Sequence, residues 1–187
     1  MIGRSSTRSF RRVIRVRTFT PDCEIDAGGM TVVWFADVKP DQSVAWLASL
    51  IAASSRESDR TDKVTQSALA ALAVHAGPES GRALVRFARE DDSTRLRGQA
   101  LFWLAQKAGS QAVATITGAI EHDPETEVKK KAVFALSQLP KDEGVPLLIQ
   151  VAKTNKNPEV RKQAMFWLGQ THDPRAVTFF EEILSRK

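Results

Sequence analysis

Three phenylalanines, Phe102, Phe134 and Phe166, stand at one constant interval in this 187-residue chain. Four positions on from each comes a glutamine: Gln106, Gln138 and Gln170. Three positions before each comes another polar side chain: Gln99, Lys131 and Gln163. A ring fully buried by a partner contributes about 1.5–3 kcal/mol. A primary amide both donates and accepts, which suits the backbone of an extended segment. These nine residues are the candidate partner-binding set.

No other chemistry has a comparable arrangement. His75, His122 and His172 fall at non-equivalent places, and no acid-base pair recurs around them. Cys23 is the single cysteine, so no intramolecular disulfide and no cysteine metal cage can form. Asp22, Glu24 and Asp26 surround it, but three acids in a stretch of turn composition read as a solvated turn. There is no nucleophile elbow, no phosphate-cradling glycine loop and no triad spacing. The expectation is therefore a protein that is not an enzyme, with no metal and no cofactor.

The spacing of the ladder comes from the elements that carry it. Val64, Leu96, Val128 and Val160 keep the same interval as the phenylalanines. So do Ala68, Ala100, Ala132 and Ala164, and also Leu72, Leu104, Leu136 and Leu168. Within each copy these fall at i, i+4 and i+8, one side of a helix. A second apolar series, Leu84, Ile116, Leu148 and Phe180, keeps the same step and is flanked by Val113, Val145 and Val177. Asp or Asn beside Pro, with acids following, marks helix starts in HDPETEV (122–128) and NKNPEV (155–160). The unit is helix, turn, helix, short linker. Neither helix buries its apolar face alone, so copies must stack into a solenoid.

On a helical wheel Ala132 and Leu136 lie within about 80° of Val128, while Lys131, Phe134 and Gln138 lie about 240–300° round from it. The ladder is thus off the core stripe.

VRKQAMFWLGQ (160–170) and VKKKAVFALSQ (128–138), each preceded by an apolar helix and a Pro- or Asp-bearing linker, resemble HEAT repeats. The short bacterial HEAT-like form of the phycobilin-lyase type is the most similar. The likeness covers residues 61–187, and KPDQSVAWLASLI (39–51) looks like the first helix of the first copy, with a longer linker than later ones. The resemblance implies an all-α fold, a right-handed α-solenoid of about 4.5 helix pairs. It also implies that the second helix of each pair lines the concave face, where the ladder would be a groove. Metal-dependent HEAT proteins with His-Glu pairs are not matched, since no His here precedes Glu.

Two readings of the ladder stand side by side on sequence alone. Exposed phenylalanines in register imply something that covers them. Alternatively, the rings pack between neighbouring second helices and the glutamines are simply good helix formers. Trp103, Ala135 and Trp167 alternate large, small, large at one repeat position, which suits packing between copies.

The formal charge of +5 is uneven. Arg4, Arg8, Arg11, Arg12, Arg15 and Arg17 crowd the first twenty positions; taking six from the 27 basic residues leaves 21 against 22 acidic ones. Nucleic-acid binding through this arm and through Lys129, Lys130 and Lys131 is the alternative function, although acids flank those lysines. Chromophore handling like that of bilin lyases follows from the resemblance alone and ranks last. Residues 1–9 read as a basic arm and 39–187 as the solenoid. Between them, β-prone runs at 11–19 and 30–38 enclose PDCEIDAGG (21–29), which predicts a β-hairpin cap over 10–38. No run is long enough for a membrane span and no secretory signal is recognisable, so a cytoplasmic setting is expected. The leading function is a protein–protein interaction scaffold that holds a peptide or helix of unknown identity along the groove.

Overall fold

The computed structural model describes residues 13, 15–20, 22–26, 28–33, 35–55, 62–107 and 109–185. Among them are nine helices: α1 (Pro40–Ser55), α2 (Asp62–Val74), α3 (Pro78–Glu90), α4 (Thr94–Lys107), α5 (Ser110–His122), α6 (Thr126–Ser137), α7 (Lys141–Thr154), α8 (Pro158–Gln170) and α9 (Pro174–Ser185). Consecutive helices pair as α1–α2, α3–α4, α5–α6 and α7–α8, and α9 opens a further pair.

The predicted stripe is the core. Val128, Val160, Ala68, Ala100, Ala132, Ala164, Leu72 and Leu136 are fully buried, with Val64, Leu96, Leu104 and Leu168 nearly so. Each alanine leaves the closest approach to its neighbour, and each flanking Val or Leu fills the space above and below. Leu84, Ile116 and Leu148 are likewise fully buried in the first helices. One close approach requires a glycine: a Cβ on Gly144 would stand 2.5 Å from the Leu136 carbonyl oxygen, where α7 crosses the end of α6.

Linker chemistry recurs with the repeat. Asp91, Asp123 and Asn155 occupy one repeat position. Each accepts from the backbone N–H two positions on, at 2.9, 2.9 and 3.0 Å. Asn157 then caps α8 by accepting from Glu159 N at 2.9 Å, with Pro158 in the first turn. The same side-chain-to-backbone bond thus closes three successive junctions, one per repeat.

The stack has an inner and an outer layer. The even-numbered helices α2, α4, α6 and α8 contact one another closely along the row, while the odd-numbered ones touch more lightly. A curved stack crowds its inside and fans out on its outside, so the even-numbered helices form the concave layer.

The expected β-hairpin cap over 10–38 is not supported. Among the described residues of 13–39 there is no strand. Their turns are local: Cys23 N donates to Thr20 O at 3.0 Å and Gly28 N to Asp26 Oδ1 at 2.8 Å. Two separate turns do not bring the flanking runs into register, and a two-stranded ribbon without a face to pack on is marginal in water. Val16 packs against the core, whereas Phe19, Met30, Val33 and Phe35 are exposed. The basic arm at 1–9 lies outside the described residues.

Candidate protein-binding face

The ladder rides on the inner helices α4, α6 and α8, and the three copies of the same Phe differ in their surroundings. Phe102 and Phe134 stack across the α4–α6 contact, rings parallel within 2° and centroids 5.8 Å apart. Phe134 meets Trp167 at 4.8 Å, and Trp167 in turn meets Phe166 edge-on at 5.0 Å. Trp103 closes the other end, edge-on to Phe102 at 5.1 Å. The result is one aromatic row, Trp103–Phe102–Phe134–Trp167–Phe166, across three helices. Edge and offset contacts of this kind add about 0.5–1.5 kcal/mol each beyond burial.

Exposure grades along that row. Phe102 and Phe134 are half-buried, while Phe166 is 55% exposed. Both readings of the ladder are therefore present in one row: stacking between helices at its start, open ring at its end. Ala135 is fully buried between half-buried Trp103 and Trp167, the large-small-large alternation in physical form.

The polar residues flank the row on both sides. Gln106, Gln138 and Gln170 are exposed, and Gln138 Nε2 donates to Ser137 Oγ at 3.1 Å. Gln99, Lys131 and Gln163 are half-buried on the other flank. The Lys131 chain lies over Gly98 of α4, where a Cβ would collide with it. Gln138 and Gln170 also open on a recess of about 400 Å³ at the ends of α6 and α8, walled by Trp167, Leu139, Lys141 and His172. Trp167 Nε1 is buried with no hydrogen-bond partner among the described residues. Such an orphan donor costs about 1–3 kcal/mol unless an acceptor reaches it. The sequence pattern marked Trp167 as packing only; its place in the row depends on the lateral offset of α6 and α8, which no single-helix wheel contains.

The remaining candidates are engaged in the fold. Lys129 Nζ donates to Glu121 O and Lys130 pairs with Glu127, each at 2.9 Å, so two of the three adjacent lysines already have partners. His75 shares a hydrogen bond of 2.6 Å with Ser43 Oγ and one of 2.8 Å with Ala76 O, tying α2 to α1. Asp26 serves its own turn, and a hydrogen bond from Thr20 holds the Asp22 carboxyl below its ordinary pKa. Among the described residues no three His, Cys, Asp or Glu side chains gather to hold a metal ion, and no helix is long and apolar enough to cross a membrane.

Paired helices stacked at one period, with an inner row of successive second helices, define an α-solenoid. The profile of HEAT repeats matches residues 81–152 and, overlapping, 113–187. That is more than half of the chain, which belongs to the HEAT-repeat family. HEAT repeats generally mediate protein–protein interaction. No curated protein and no solved structure matches the chain.

Proposed function

We propose that this protein is a non-enzymatic interaction module that holds a peptide or helix of a partner protein along the inner face of α4, α6 and α8. Phe166 is the main apolar anchor, with Phe102 and Phe134 presenting the edges of their stack. Gln106, Gln138 and Gln170 clamp the partner's backbone on one side, and Gln99, Lys131 and Gln163 border it on the other. The observation that carries this reading is the gradient of the aromatic row. A ring 55% exposed at the end of a row of packed ones, beside exposed amides, is an apolar surface with hydrogen-bonding groups already in place.

The test keeps the stacked rings and changes only the open groups. Phe166→Ser is combined with Gln106→Ala, Gln138→Ala and Gln170→Ala, and partners captured from lysate are compared with those of the unaltered chain. Circular dichroism should be unchanged while specific partners are lost. Capture of the same partners by the helical variant would contradict the proposal.

A further inference from the structure

Acidic and basic side chains are sorted between the surfaces of the array. Past its first turn none of α2, α4, α6 and α8 has an acidic residue, whereas Glu90, Glu121, Glu181 and Glu182 lie far along the outer helices. The junctions between helix pairs add Asp91, Asp92, Asp123 and Glu125. Lys131 and Lys162 stand on the inner row itself, three positions before Phe134 and four before Phe166, one helical turn away in each case. Arg82, Arg97, Lys153 and Arg175 each pair with a carboxylate, and Lys130 pairs with Glu127. Lys131 and Lys162 have no ion pair among the described residues. Lys131 is nevertheless held in place. Its stem lies on α4 at Gly98, where a Cβ would stand 3.2 Å from Lys131 Cβ and Cγ and overlap Cδ. A half-buried ammonium fixed beside the rings, with no carboxylate of its own chain, leaves positive charge uncompensated on the row.

The aromatic row and the amides restrict what such a partner is. Phe134 has the Phe102 ring on its α4 side and the Trp167 ring on its α8 side. What it offers the groove is its edge, the positive rim of the ring quadrupole. An edge favours oxygen acceptors and gives a nucleobase no face to stack on. Lys129 and Lys130 are already bonded to Glu121 O and Glu127, which leaves little charge for a phosphate backbone. The exposed amides of Gln106, Gln138 and Gln170 need backbone groups to bond. A helix uses its own internally, whereas a polyproline-II segment keeps its N–H and C=O groups free. Packed helices lie about 8–10 Å apart, and one three-residue turn of polyproline II rises about 9 Å. Such a segment crossing the row therefore presents one side chain to α6 and its like to α8 three residues later.

We infer that the partner segment on this face is acidic and extended: a polyproline-II stretch with Asp or Glu three residues apart, one paired with Lys131 and the next with Lys162. Its apolar side chains lie on Phe166 and the ring edges, and its backbone faces the glutamine amides. This depends on the inner-face site proposed above and adds the charge and conformation of what occupies it.

The test selects random displayed peptides of about twelve residues, four turns of such a helix, on the full chain. Enriched sequences should have Asp or Glu at i and i+3, with Pro among them. A selected peptide, labelled and titrated by anisotropy, should bind about tenfold more weakly to a chain with both Lys131→Gln and Lys162→Gln. Circular dichroism of that chain should be unchanged. Lys131→Arg with Lys162→Arg should restore most of the affinity, while Lys156→Gln, at an exposed cation in a junction, should leave it intact. A thymidine oligonucleotide of the same length should not displace the peptide; displacement would assign the lysines to nucleic acid and overturn the inference. Neutral or basic sequences, acids without the three-residue spacing, or binding indifferent to the lysines yet lost with Phe166→Ser would overturn it too, leaving the inner-face site standing. Binding indifferent to the lysines and to Phe166→Ser alike, or no enrichment at all, would overturn both.

Discussion

Residues 13–39 and the helical array 40–185 contain similar apolar side chains and treat them oppositely. Phe35 is 81% exposed in the first, while Leu136 and its register mates are buried in the second. The difference is not hydrophobicity or local propensity. In the array the Val-Ala-Leu stripe recurs at the helical period within a copy and at the repeat period between copies, so each of its residues meets a partner. In the N-terminal stretch, among the described residues, Val16 packs on the core while Phe19, Met30, Val33 and Phe35 stay exposed.

That comparison is sharpest where the array depends on a single contact. Asp123→Ala leaves Arg97 buried and unpaired and should cost about 3–5 kcal/mol, seen as a fall in denaturation midpoint. Leu136→Ala, at a fully buried site, should cost about 2–5 kcal/mol in the same measurement. Gly144→Ala should cost about 1–3 kcal/mol, because its Cβ meets the Leu136 carbonyl and not a side chain that can swing away. In the N-terminal stretch Phe35→Ala should change stability by no more than about 0.5 kcal/mol. A loss comparable to Leu136→Ala there would break the comparison outright.

A smaller, pH-dependent effect belongs to the start of α9. Hydrogen bonds from Arg175 hold the Asp173 carboxyl down, from an ordinary value of 3.8 to about 2. A depressed carboxyl stabilises the native state above its unfolded pKa, and that contribution fades as pH falls through the native value. Stability should therefore drop between about pH 4 and pH 2, and Arg175→Gln should flatten that part of the profile.

The fold is legible in the sequence because a solenoid writes its contacts into one repeated register. The Val-Ala-Leu stripe and the Asp and Asn turns follow from the one fixed step. The hairpin expectation fails because β propensity describes a residue that fits a half-buried sheet and says nothing of whether the other half exists. The site is legible only in part. A repeat pattern treats Phe102, Phe134 and Phe166 as equals, yet the first two are stacked by a following helix or its tryptophan, and the last has no second helix beyond it among the described residues. Position in the stack, not residue type, decides exposure.

Seating of partners on the inner face is tested most directly by site-specific crosslinking. The photo-crosslinker benzoylphenylalanine is placed at residue 166 on α8 in one chain and at residue 111 on the outer helix α5 in another. Illumination with cell extract should yield a discrete partner adduct from position 166 and none from position 111. Adducts from 111 alone, or the same adducts from both, would contradict an inner-face site.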